Sequence, residues 1–243
     1  MNKITAILLT ICINPMLFSQ QKEIKLEGAI INSKSTITNL PQQVSFYESK
    51  HLKDTQFSTW LLKELINTPE CTLKLEKEER DELGFKHDRY IQYFKSYPIE
   101  GTLIIAHGKN SEIRNFNGDY YRDISPANSI SLNEKKALRA AIKKVNSKKY
   151  KWENEEEEKE LKKIFNHPDF SNKKATELVV LPTVDESRKT ILYNYAYKFN
   201  SSTEGSPAKF NIFIDASSGK ILRSDNLILN GRNAGQTNVP GSH

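Results

Sequence analysis

From Asp81 to Gly118 the chain is dense in Tyr, Phe and Ile, and Gly and Pro fall only where such a run is interrupted. That pattern predicts β strands, because aromatic and branched side chains fit a pleated, half-buried surface. Ser96-Tyr97-Pro98 suits a hairpin loop, and Gly108-Lys109-Asn110 and Asn117-Gly118 mark the next two turns. The stretch therefore predicts a three-stranded antiparallel meander. With the loop centred on Tyr97, His87 faces His107, Arg89 faces Ile105 and Tyr93 faces Gly101.

Other periods surround it. Residues 20–50 are polar and mixed, with short β-like pieces at 24–31 and 44–47, and predict a loosely structured segment holding one edge strand. Phe57, Trp60, Leu61, Leu65 and Ile66 then recur at spacings of three and four, the stripe of a helix capped by Asp54 and stopped by Pro69. Cys71, Leu73 and Leu75 alternate with Thr72, Lys74 and Glu76, a half-buried strand with the apolar set inward. Further on, Ser131-Leu132-Asn133-Glu134 is a capping-box pattern ahead of a helix that buries Leu138, Ala141, Ile142 and Val145 and ends near Asn146. Trp152 follows, and Asn154 opens a second helix through Glu155, Glu158, Leu161 and Phe165. Strands are predicted over 177–181, 190–199, 209–215 and 220–229, with Ser217-Ser218-Gly219 a tight turn between the last two.

This order predicts an α+β fold of two small units, each a helix packed on an antiparallel sheet, over residues 51–125 and 126–229. Residues 230–243 are Gly, Asn, Ser, Thr and Pro with little to bury, the composition of a flexible linker. At the other end, Lys3, an apolar run over 4–13 and Leu17-Phe18-Ser19 form a secretory signal, residues 1–19. The apolar run is shorter than the ~20 residues of a membrane span. The chain is expected to be exported, outside the cell or in the periplasm, with no stable membrane anchor.

A 37% hydrophobic, 27% charged composition permits a core and excludes wholesale disorder. The net charge of +6 is not gathered into a basic run with interleaved aromatics, and 155–158 is all Glu, so nucleic acid is not the expected partner. That Glu run suits the positive end of the second helix better than a calcium loop, which wants alternating Asp or Asn and a Gly turn. Removal of the signal takes Cys12 with it and leaves Cys71 as one thiol, read as a small buried hydrophobe. His87 beside His107 invites a metal, but zinc needs three or four ligands and none follows at a matching spacing. Hydrogen-bonded sheet residues, with Arg89 as a neighbour, are the simpler reading.

Gly84, His87, Arg89, Tyr90, Gln92, Tyr93, Pro98, Ile99, Gly101, His107, Asn117 and Gly118 also carry a resemblance. Their order and spacing resemble the prosegment domain of secreted thermolysin-like and fungalysin-like zinc proteases. That family commonly has Gly where this chain has Ser96, a departure that bears on the turn type of the loop. Downstream, Val179-Val180-Leu181-Pro182, Tyr195-Ala196-Tyr197 and the hairpin from Phe213 through Asp215, Ala216 and Gly219 to Leu222 resemble the cystatin-like PepSY domain of the same prosegments.

The five histidines never form His-Glu-x-x-His, and no Gly-x-Ser-x-Gly elbow or phosphate-binding loop occurs, so no catalytic residue or cofactor is expected in this segment. The resemblance implies an intramolecular chaperone and inhibitor of a thermolysin-like protease domain held in cis. Zinc, with calcium as a second candidate, would belong to that domain, and the complete precursor would be a metalloendopeptidase. Two other classes fit the same residues: a stand-alone secreted protease inhibitor, or an envelope binding module.

Overall fold

The computed structural model describes residues 24–145, 177–185, 190–201 and 210–226. In chain order the elements are β1 (Ala29–Lys34), β2 (Pro41–Phe46), α1 (Asp54–Leu61), β3 (Cys71–Arg80), β4 (Lys86–Phe94), β5 (Tyr97–Pro98), β6 (Leu103–Lys109), β7 (Glu112–Asp119), α2 (Glu134–Val145), β8 (Glu177–Asp185), β9 (Thr190–Ser201), β10 (Phe210–Asp215) and β11 (Ile221–Asn226). They form two antiparallel sheets, one ordered β1-β2-β7-β6-β4-β3 with β5 also on β4, the other β11-β10-β9-β8. Helix α1 lies against the first and α2 against β10. The class is α+β, as the order of patterns predicts.

The meander forms as β4-β6-β7, with His87 opposite His107 and Arg89 opposite Ile105. Tyr93 does not reach Gly101. Lys95, at φ 55°, makes the hairpin turn tighter and earlier, so Tyr93 pairs with Pro98 and Phe94 with Tyr97. The chain between Pro98 and Leu103 is then free to leave the ladder, and it docks on the second sheet instead.

Residues 29–46 are a hairpin, not a loose segment with one edge strand. β2 pairs with β7 and turns Val44 and Phe46 into the core, so β1 is the edge. Ser35 accepts from the Ile37 and Thr38 amides and Asn39 takes a left-handed φ of 57°, which closes the turn. Helix α1 is capped at Lys53, whose amide donates to Gln56 Oε1, and Asp54 occupies the first helical position rather than the cap. A π turn over Leu62–Ile66 carries the helix to Asn67, left-handed at φ 46°, before Pro69. Phe57, Leu61, Leu65 and Ile66 are buried as the stripe predicts. In β3 the inward set fails at Leu75, which is 50% exposed, because a bulge between Leu75 and Lys77 ends the alternation. At α2 the cap is Asn133, not Ser131: Asn133 Oδ1 accepts from the Lys136 amide at 2.9 Å. Ser131 and Leu132 instead donate their amides to Ala216 O, which ties the helix entrance to the end of β10. The signal at 1–19, the second helix through Glu155, Glu158, Leu161 and Phe165, and the linker at 230–243 lie outside the described residues.

Both sheets feed one core. Leu61, Leu65, Ile66, Phe94 and Phe116 from the first half join Tyr193, Tyr195, Ile212 and Ile214 from the second in a single buried cluster. Backbone joins them too. Ile99 forms a parallel bridge with Val180, Glu100 N–H donates to Val180 O at 2.9 Å, and Ala127 N–H donates to Tyr193 O at 2.9 Å. The opposite face of the smaller sheet buries Val179, Leu181, Ala196 and Phe213 separately.

Candidate functional site

Gln92 sits at the centre of the motif stretch, fully buried on β4. A buried amide side chain is tolerated only when its donors and acceptor are met. Here Nε2 donates to Tyr121 O at 2.7 Å and Oε1 accepts from Tyr121 N–H at 2.9 Å. The side chain thus pairs with a backbone 29 residues away as a strand neighbour would. Its own N–H donates to Thr102 Oγ1 at 3.2 Å and its carbonyl accepts from Ile99 N–H at 2.9 Å. One residue therefore fixes both the Ile99–Thr102 excursion and the chain leaving β7.

On the solvent side of the same sheet a chain of polar groups crosses three strands. Asp81 Oδ1 accepts from the amides of Leu83 at 3.0 Å and Phe85 at 2.8 Å, building the turn that places Gly84 at φ 79°. The Phe85 amide foremost, with His87 and Leu83 adding to it, outweighs desolvation and holds the Asp81 carboxyl below the ordinary aspartate range. Asp81 Oδ2 lies 3.2 Å from His87 Nε2, His87 Nδ1 lies 2.7 Å from His107 Nδ1, and His107 Nε2 lies 2.7 Å from Asn117 Oδ1. Arg89 donates to Glu79 across β3 at 3.1 Å rather than to either imidazole. Tyr93 carries Lys74 Nζ 3.8 Å above its ring. Tyr90 points the other way, against Phe57, and burial pushes its phenol up to about 12.

The motif glycines divide by what surrounds them. A Cβ on Gly118, at φ 145°, would stand 2.0 Å from Leu103 O and 2.7 Å from Ile104 Cα, so the pairing of β7 with β6 at this position requires glycine. Gly101, at φ 80°, needs the left-handed conformation but has nothing nearby to strike. Pro98 sits in β5 beside Tyr93, and the neighbouring Tyr97 ring meets Tyr195 of the second sheet at 5.3 Å.

The second resemblance centres on a different lock. Asp215 Oδ1 accepts from Ser217 N–H at 2.9 Å, Ser217 Oγ at 2.7 Å and Ser218 N–H at 2.6 Å. Desolvation would raise this carboxyl, but the hydrogen bonds from Ser217 and Ser218 outweigh it and hold it below the ordinary aspartate value. Asp215 Oδ2 accepts from Asn128 Nδ2 at 2.9 Å, and Asn128 also brackets Tyr195, donating to its carbonyl and accepting from its amide. Gly219, at φ 68°, lies against α2, where a Cβ would meet Ala140 Cβ at 2.3 Å. Asn128 and Tyr121 have no local pattern to announce them. Each acts on a residue far along the chain.

Charge closes the junction between the sheets. Lys198 Nζ spans both oxygens of Glu100 at 3.0 and 2.9 Å. Glu177, at the exposed start of β8, has its carboxyl pushed up by desolvation, against the pull of Lys198. On the α1 side, desolvation works against charge on Lys86, but Asp88 and Glu78, each 3.0 Å away, hold the ammonium above its ordinary value. Cys71 is buried, its thiol raised chiefly by desolvation, and takes a contact from Gln92 Nε2 at 3.4 Å. Among the described residues no group of three or more His, Cys, Asp or Glu could hold a metal ion. The motif side chains meet the backbone, one another and neighbouring side chains of the fold, which is the arrangement of a structural lock.

The family described as Fungalysin/Thermolysin Propeptide Motif matches residues 72–120, from the start of β3 to the residue after β7. Bacillolysin of Bacillus amyloliquefaciens is 26% identical over 203 residues, 80% of this chain and 36% of the relative. Bacillolysin of Bacillus subtilis (strain 168) is 27% identical over 163 residues, 66% of this chain and 28% of the relative. The chain thus spans about a third of the length of the curated relatives it matches. Among solved structures, the Bacillus megaterium YpeB C-terminal domain aligns over 80% of each chain at 12% identity, with a TM-score of 0.32. Among the described residues no helix is long and apolar enough to cross a membrane.

Proposed function

We propose that this chain is the prosegment of a secreted thermolysin-like zinc metalloprotease precursor, acting as intramolecular chaperone and inhibitor of the protease domain. The observation that carries the reading is the propeptide match over 72–120, which falls on the meander organised by Gln92 and the Asp81-to-Asn117 chain. Similarity to bacillolysin over 80% of the chain extends it past that stretch. In this reading residues 1–19 are the export signal, 51–125 the propeptide domain, 126–229 a PepSY-like domain and 230–243 the linker to the protease. The residues from Gly84 to Gly118 in the motif, with Asp215 and Gly219, build the template and touch no substrate.

The physics of such a template is direct. A protease domain rich in long-range contacts folds slowly, since loop closure precedes the reward of the contacts. A rigid partner on a short tether meets it at an effective concentration of order millimolar, which lowers that barrier and then keeps the enzyme occluded. Cutting the tether leaves only the bimolecular affinity, and the prosegment dissociates or is digested. Zinc, and calcium if bound, resides in the protease domain. We place the linker at 230–243, or the strand end beside it, in the catalytic cleft; linker substitutions that leave the full precursor as latent as before would overturn that placement.

Reading the gene past the codon for His243 tests the in-cis arrangement. A continuation carrying His-Glu-x-x-His is expected. A stop codon there would move the assignment to a free-standing secreted inhibitor.

A further inference from the structure

We propose that His87 and His107 form a one-proton clamp that holds β4 to β6 and β7 and opens when both rings are charged, making the larger sheet acid-labile. The inference is independent of the prosegment reading. It rests on the 2.7 Å separation of the two Nδ1 atoms, which leaves room for one hydrogen between them.

The outer nitrogens are already committed. Asn117 Oδ1 accepts from His107 Nε2–H at 2.7 Å, and Asp81 Oδ2 receives His87 Nε2–H at 3.2 Å. With His107 neutral, its Nδ1 has a free lone pair and His87 donates Nδ1–H into it. His87 is then an imidazolium facing the Asp81 carboxylate, and every nitrogen is satisfied. A second proton can go only to His107 Nδ1. It would set two N–H groups, on two cations, head to head at a distance suited to a hydrogen bond. The rings must then part, and the link between Asp81, β4, β6 and β7 breaks in its middle.

The surroundings do not supply a second counterion. The charged groups facing the pair are Asp81 from the turn, Glu79 across from His87 on β3, and Arg89 one pleat along β4. Glu79 is engaged by Lys77 and Arg89, which hold its carboxyl below the ordinary range. β6 contributes Lys109, placed over the Phe85 ring at 5.0 Å, and β7 contributes the uncharged Asn115 and Asn117, with Arg114 on Glu112 at 3.4 Å. Helix α1 packs on the other face of the sheet, Phe57 against Tyr90 and Phe116.

The test is urea unfolding of the full chain at pH 7.5 and pH 5.0, on either side of the ordinary histidine value of about 6.5, for the wild type, His107→Gln and His87→Gln. The clamp predicts that acid raises the wild-type unfolding constant several-fold more than that of either variant. Equal acid responses in all three would overturn it. If a variant fails to fold at pH 7.5, imidazole nitrogen NMR of the wild type decides: coupled, stepwise protonation of the two rings supports the clamp, and independent single-site titrations contradict it.

Discussion

Gly118 and Gly84 both have positive φ, yet only one is crowded. Alanine at Gly118 would collide with Leu103 O and Ile104 Cα, and with no relief available in backbone the loss should reach about 3 kcal/mol or more. Gly84 has nothing within 4 Å, so its alanine variant meets only the left-handed penalty of about 1 kcal/mol. Urea midpoints of the two variants check that difference. Gln92→Leu keeps the bulk but strands the Tyr121 amide and carbonyl, and should destabilise by about 2–4 kcal/mol. Asp215→Asn puts an amide NH2 against Asn128 Nδ2 and should lose about 1–3 kcal/mol. Because folding depresses the Asp215 carboxyl, its contribution is complete above the ordinary aspartate value of 3.8 and is lost as pH falls through the lower folded value. A pH series should therefore show the wild-type advantage over Asp215→Asn intact at pH 5 and shrinking only below about 3.8. These motif residues could be singled out from the chain alone, but their partners could not: nothing near Tyr121 or Asn128 in sequence indicates a bracketed backbone.

Among elements, the meander was legible because each strand is bounded by its own turn residues. His87 opposite His107 follows from that local geometry. Tyr93 opposite Gly101 did not survive, because the Ile99–Thr102 excursion is held by Val180, a residue far along the chain. The β1–β2 hairpin was obscured for a similar reason: Val44 and Phe46 find their partners on β7, so a weak local pattern is completed by tertiary pairing. The caps shifted by one or two residues, as Lys53 and Asn133 replaced Asp54 and Ser131. The excursion yields its own prediction. Ile99, 1% exposed, joins the sheets at the bridge to Val180, and Ile99→Ala should destabilise by about 2–5 kcal/mol. Since both sheets share a core, the loss should appear as one shifted transition that far-UV CD and tyrosine absorbance trace together. Two separated transitions would mean that the sheets fold independently.

At the scale of the whole molecule, the α+β class was readable from pattern. The shared core was not, because no local signal says that two sheets will close on each other. What results is a preassembled framework whose polar motif groups are satisfied within the fold. The most direct test is to titrate a thermolysin-like protease domain with this chain, the two having been expressed separately. The account predicts that activity falls to near zero at a one-to-one ratio and returns as the chain is digested. Full activity at a large excess of folded, intact chain would contradict it.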